Sequence, residues 1–507
     1  MRHLRSIVFL SVAVVSGHVL ASGQTRSGDG AGVLSAPVQD TTYRFFPQIS
    51  EAIEQEPITP RNPKLSPNIL QGPPNGLVMN SITSSTQTQV GTKFPGMTFT
   101  GFDPPDPNIA VGPYNIVQVV NVQLAFFDKA GNKTFQQSLG STGFFQPVAQ
   151  TNFVFDPKVV FDQTSGRFFI VALEQKDSPQ SSAILLAVSD DSDPNGVWTK
   201  YRINTKQPKN GHVYWFDYPG LGYNKDGLVI TGNMFTFPSS SASFDFSRSY
   251  AVAKAGLLAG GTANFTYFDH TGEFTIQPAR TLESVSTRVF GLRIKNTTTF
   301  TFYSWSGIAA TPSLNKIDVA IPSFFQLPFN FYAQSSGGGS IDTLSDRMLD
   351  AAYRSGYLVC AHTVGTSGAL DRSMVRWYEF SMGTWPTSGS PTRRQSGNIA
   401  IAAPNSLLMP AISRNGVGGI ALVVSRCSPT RPADLYATSH RSTDPLNSMG
   451  PLGFLASSGH APGPQSRWGD YHSMATDPGN SKKFWACGEV LSSNGQWRTE
   501  ISTWIVP

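Results

Sequence analysis

An all-β chain closed into a β-propeller, with seven blades of four antiparallel strands, is what this sequence predicts, and three observations carry the prediction. Six segments open alike, about 50 to 70 residues apart. Four are Asp106-Pro-Asn-Ile-Ala-Val-Gly, Asp156-Pro-Lys-Val-Val-Phe-Asp, Asp217-Tyr-Pro-Gly-Leu-Gly-Tyr and Asp470-Tyr-His-Ser-Met-Ala-Thr, while Asp346-Arg-Met-Leu-Asp-Ala-Ala and Met409-Pro-Ala-Ile-Ser-Arg-Asn are looser copies. Most then turn into a second apolar run, as in Gly166-Arg-Phe-Phe-Ile-Val-Ala-Leu and Gly356-Tyr-Leu-Val-Cys-Ala-His. A fixed period of strand, turn and strand marks blades that can bury their faces only against neighbours. Finally, charged residues are only 14%, aromatics are 11%, and 47 Gly and 36 Pro supply turns, while no helical period stands out.

The chain opens with Arg2 and Arg5, a short apolar run from Ile7 to Val15, and Val19-Leu20-Ala21. That order reads as a signal peptide over residues 1–21, too short to span a membrane, and it implies an exported protein. Residues 22–75 are rich in Pro, Ser, Gln and Gly and are expected to be a disordered or surface-wrapping leader. Residues 76–507 form the propeller domain.

The first blade is placed over Phe102 to Leu139, with the turn Asp128-Lys-Ala-Gly131 as its hairpin signal. The second covers Phe155 to Asn204 and the third Trp215 to Phe268. The fourth, Gln277 to Ile321, is the weakest copy and opens without an Asp. Blades five and six cover Asp346 to Ile399 and Leu407 to Leu455. The seventh, Trp468 to Ile505, shows three strands, and Gln89 to Thr100 is positioned to supply the fourth and remove an open sheet edge.

The three cysteines do not make a disulfide framework, because equivalent strands of neighbouring blades stand beyond the about 7 Å that a bridge allows between Cα atoms. Free, buried thiols are expected at Cys360, Cys427 and Cys487. The formal charge of +5 is small and scattered, so nucleic acid is not an expected partner. A monomer is expected.

Ser192-Asp-Pro-Asn-Gly-Val-Trp198 and the shorter Ser493-Asn-Gly-Gln-Trp497 resemble the Asp-box turns of sialidase-like propellers. Val375-Arg-Trp-Tyr-Glu379 and Arg467-Trp-Gly-Asp-Tyr471 are similar to phrases in secreted bacterial proteins of that superfamily with no settled activity. The resemblance covers most of Phe102 to Pro507 and implies a secreted propeller. It carries no sialidase site across: the nearest match to the family's first-arginine motif, Tyr201-Arg-Ile-Asn204, has Asn where Pro belongs.

Asp106, Asp156, Asp217, Asp346 and Asp470 hold the same place in the pattern, so they are expected to ring one end of the channel. With Arg347, Arg467, Tyr471 and His472 they form a candidate ligand site. Crowded carboxylates raise one another's pKa or recruit a cation, which makes Ca²⁺ on Asp106, Asp156 and Asp217 the one cofactor to consider. Equally, each Asp can cap backbone amides or pair with arginine. A hydrolytic pair drawn from Asp217, Asp470 and Glu379 would need about 5 to 9.5 Å between carboxyl groups. Two functions follow: a secreted binding or scaffold protein holding a glycan, peptide or protein at the channel mouth, or an extracellular glycoside hydrolase. No complete catalytic constellation can be assembled, which favours the first.

Overall fold

The computed structural model describes residues 24–34, 38–40 and 90–507. The expected signal peptide and the remainder of the leader lie outside the described residues. The chain is an all-β propeller whose repeats are antiparallel meanders, each entered by a strand that faces the central channel. These entry strands are Asn108–Val111, Val154–Asp162, His212–Tyr223, Gln277–Pro278, Met348–Arg354, Ser406–Arg414 and Ser473–Thr476.

The expectation of seven separate four-stranded blades is corrected. Hydrogen bonding sets five blades apart, three with four strands and two with five. The third and fifth meanders instead share one eleven-stranded sheet. The cause is local. The entry strand of the fourth meander breaks at Ala279, and its continuation, Arg280–Thr281, slots between the neighbouring entry strands, pairing in parallel with Tyr223 on one side and with Ala352 and Tyr353 on the other.

Every strand sandwiched between meanders must be apolar on both faces, which explains runs such as Arg167–Asp177, buried over eight consecutive residues. Successive meanders enclose their own clusters. Val119, Phe126, Ile170 and Trp198 pack between the first and second, and Ala421, Leu435, Phe484 and Trp504 between the sixth and last. The last meander is completed by Val90–Thr98, antiparallel to Trp497–Ile505, with Phe94 opposite Ile501. This ties the front of the domain to its end, with Val90–Thr98 as the outermost strand of the last meander.

Part of the leader is ordered strand. Gln24–Ser27, Gly30–Val33 and Val38–Asp40 add to the outer edges of the fourth, third and second meanders in turn, running as a belt around the outside. Cys360, Cys427 and Cys487 are free and buried. Among the described residues no helix is long and apolar enough to cross a membrane.

Candidate functional site

The entry strands carry a repeated irregularity that builds the mouth. Asp106, Asp156, Tyr218 and Met409 each precede a proline and each have positive φ, between 48° and 55°. A residue before proline avoids the right-handed helical region, and a bulge needs one extra residue, so both demands meet at this position. Bulges follow at Asp156, Tyr218 and Met409, where strand pairing slips by one residue. Asp tolerates the left-handed region, but Tyr and Met do so only when surrounding structure enforces it.

This register corrects the expectation that five aspartates are equivalent. Only Asp106 and Asp156 share the bulge position. Asp217 and Asp470 stand one residue earlier, with Tyr218 and Tyr471 in the equivalent place. Asp346 lies earlier still relative to its strand.

All five are buried, and Asp106 and Asp156 join one meander to another. Asp106 Oδ1 accepts the Asp470 N–H at 2.8 Å. Asp156 Oδ2 accepts from the Tyr218 N–H at 3.2 Å and the Tyr471 hydroxyl at 3.3 Å, while its own N–H donates to Asn121 Oδ1 at 2.8 Å. Asp470 pairs with Arg467 at 2.8 Å. Arg347 donates to the Leu344 carbonyl and stacks over Tyr218 and Phe274. Burial pushes the Asp346 carboxyl up to about 6, against the pull of Gln326 and Arg347.

The mouth is also covered. Leu327, Phe331, Ala333, Ile341 and Leu344 pack in one cluster with Tyr218, Trp468 and Tyr471. Backbone bonds from Ser340 to Gly463 and from Asp342 to Ser466 tie this cover to the loop that precedes Asp470. Gly469 is required beneath it: a Cβ there would stand 2.9 Å from Pro107 and 3.2 Å from Glu489.

Two further placements differ from expectation. Glu379 does not approach Asp217 or Asp470; it is buried between the fifth and sixth meanders, bonded to Arg394, Arg414 and Gln395. His472 turns away from the channel and meets Ser425 Oγ at 2.8 Å, and burial takes its imidazole down to about 4. Nor do Asp106, Asp156 and Asp217 form a cation site, because among the described residues no three His, Cys, Asp or Glu side chains are arranged to hold a metal ion.

The structure adds two residues that the sequence reading passed over, Glu489 and Lys158, and buries Tyr218, an aromatic that the sequence places at a blade entrance. Glu489 accepts the Gly469 N–H at 2.6 Å, and burial, followed by the charges of Asp103, Asp106 and Asp470, holds its carboxyl well above the usual range. The Tyr218 hydroxyl is buried without a hydrogen-bond partner. Lys158 Nζ lies 2.7 Å from the centre of the Tyr471 ring. Its signal was present in the repeat. The equivalent places hold Asn108, Gly220, Ala411 and Ser473, and Lys158 is the lone cation among them.

The turns singled out as Asp-box-like act on the backbone. Asp190 Oδ1 accepts the Val197 N–H at 3.0 Å, and the buried Trp198 indole donates to the Pro194 carbonyl at 2.8 Å. Trp497 donates likewise to the Phe102 carbonyl.

No family model matches the chain, and no curated protein does. Solved structures similar to it include an α-L-arabinanase of Penicillium chrysogenum complexed with arabinobiose, at 10% identity over 82% of this chain and 98% of that one, with a TM-score of 0.38. The microbial sialidase Hz136 matches at 10% identity over 78% of this chain, TM-score 0.36, and the chain spans 65% of that protein's length. The propeller domain of the trilobed protease from Pyrococcus furiosus matches at 9% identity over 81% of this chain and 94% of that one, TM-score 0.35. Likeness at this level reaches no individual residue of the mouth.

Proposed function

We propose that this protein is an exported binding scaffold that holds a neutral glycan on the face of the propeller where the channel mouth lies. The observation that carries this reading is how the mouth carboxylates are used. Asp106, Asp156 and Asp470 are buried and bonded to backbone amides, a phenol or Arg467, an arrangement that joins meanders and presents no pair of carboxyl groups to a cleft. A glycosidase needs such a pair across the scissile bond, one as acid and one as base or nucleophile.

Four loops on this face favour an uncharged, hydroxyl-bearing ligand, beside the turn 366–372 that carries Asp371 and Arg372. Residues 139–153, 237–243, 335–340 and 457–466 connect strands at the mouth end, and they carry Ser, Thr, Asn, Gln, Gly and Pro without a single Asp, Glu, Lys or Arg. Loops held on a rigid scaffold are where binding groups concentrate. The hydrolase reading would draw on Glu489, whose carboxyl burial shifts upward, the direction a general acid needs. Its enclosure beneath Gly469 weighs against it.

Affinity electrophoresis of residues 22–507 through gels containing single neutral polysaccharides tests the proposal. Retardation in at least one gel is expected, lost when Ser and Thr of loop 139–153 are replaced by Ala. Unchanged mobility in every gel would overturn the glycan reading and redirect it to a protein partner.

A further inference from the structure

We propose that the end of the channel opposite the mouth is a binding site for a small carboxylate, the size of formate or acetate, held by Arg280 and Ser413. The entry strands run away from the mouth, and their later residues enclose a cavity. Val111, Phe161, Tyr223, Arg280, Ser413 and Thr476 line it, each from a different meander, so it lies on the channel axis.

Arg280 reaches this place because the entry strand of the fourth meander breaks and its continuation slots between the neighbouring entry strands. Among the described residues that line the cavity, it is the only one that carries a charge. One of its nitrogens is taken by the frame: Nη2 donates to Asp350 Oδ2 at 3.0 Å and to the Ile412 carbonyl at 2.8 Å. The N–H groups on Nε and Nη1 have no partner among the described residues, and the side chain keeps 16% exposure. Ser413 is an independent observation. It is fully buried, it lines the same cavity, and its hydroxyl has no hydrogen-bond partner. Because Ile412 is bonded to Arg280, the guanidinium lies against the strand that presents Ser413.

The groups left over in this cavity are donors. The Tyr223 hydroxyl is already used on the Phe161 carbonyl at 3.0 Å. Thr476 Oγ1 accepts from Gln163 Nε2 at 3.4 Å, which leaves its own proton to donate. A carboxylate only accepts, so it can bond the guanidinium and the hydroxyls together. Its charge also compensates a guanidinium that Asp350 shares with the Ile412 and Ala351 N–H groups. The walls set the size. The cavity offers about 30 Å³ to water-sized groups, room for about two or three of them. Formate fits, acetate is the limit, and longer chains are excluded.

Isothermal titration calorimetry of residues 22–507 with sodium formate tests the site, against sodium chloride at matched ionic strength. One formate per chain is expected, with affinity falling at least tenfold from acetate to butyrate. Ser413→Ala is expected to weaken formate severalfold, and Arg280→Gln, which keeps an amide donor toward Asp350, at least tenfold. Urea midpoints of the unsubstituted protein need neither variant to fold: formate is expected to raise the midpoint saturably, and butyrate to leave it unchanged. Formate binding no stronger than that of chloride would overturn the proposal. So would equal affinity for formate and butyrate, since exposed arginines and lysines impose no such size limit, or full affinity in a folded Ser413→Ala or Arg280→Gln.

Discussion

The interface between the fifth and sixth meanders and the mouth of the channel are both buried and both acidic, but they neutralise charge in opposite ways. At the interface, Glu379 meets two guanidinium groups and an amide. At the mouth, Glu489 meets a backbone N–H and other acids, and burial holds its carboxyl well above the usual carboxylate range. The difference is chemical. Arginine's planar fork satisfies a carboxylate fully, so the interface is finished structure. Amides and phenols satisfy geometry but not charge, so apart from the Asp470–Arg467 pair the mouth keeps groups whose ionisation remains open.

That contrast makes unequal demands on substitution. Glu379→Ala leaves two arginines uncompensated and is expected to cost about 3–5 kcal/mol in chemical denaturation. Glu489→Gln removes a carboxyl whose ionised form burial disfavours and is expected to change stability by less than about 1 kcal/mol at pH 7. Equal losses would erase the distinction between the two regions.

Acid separates the regions next. His472 is held near 4 by burial, below its usual 6.5. A base with a depressed folded-state pKa stabilises above its unfolded pKa and loses that contribution as pH falls toward the folded value. Roughly 3 kcal/mol should therefore be lost between pH 6.5 and 4. His472→Asn should flatten that limb of the stability profile, and an unchanged limb would move the acid sensitivity elsewhere.

Asp346, raised to about 6 by burial, gives the opposite sign. A carboxyl that is harder to ionise when folded penalises folding as pH rises from 4 to 6. Asp346→Asn is expected to stabilise by about 3 kcal/mol at pH 7 and by almost nothing at pH 3.5, read from urea midpoints at the two pH values. Lys158 carries the same kind of penalty: Lys158→Met should stabilise the protein at pH 7, where the ammonium is disfavoured in the folded state, and the gain should fade near pH 10.5, where the unfolded lysine loses its charge too.

The architecture was legible because proline punctuates it. The residue before each of four blade-entrance prolines, Asp106, Asp156, Tyr218 and Met409, takes the same strained backbone, and that repeat survives divergence in its side chains. The blade count was not legible, since the merging of two sheets depends on Arg280–Thr281 reaching strands some distance away in sequence. Matching by letter also misled. Aligning Asp217 with Asp156 placed an acid where the fold places Tyr218, and a one-residue slip in a strand sends a side chain to the other face. Cys360 and Cys487 show the same slip, pairing with Ala351 and Ser473 at neighbouring positions of the pattern. Burial of the mouth could not be read at all, because its cover comes from residues 327–344, a connection with no repeat of its own.

Release of reducing ends from a broad panel of polysaccharides by folded residues 22–507 tests the central claim most directly. The account expects none, because the mouth carboxylates are bonded to the frame of the propeller. Release that disappears in Asp156→Asn or Glu489→Gln, with folding intact, would contradict it and make the mouth an active site.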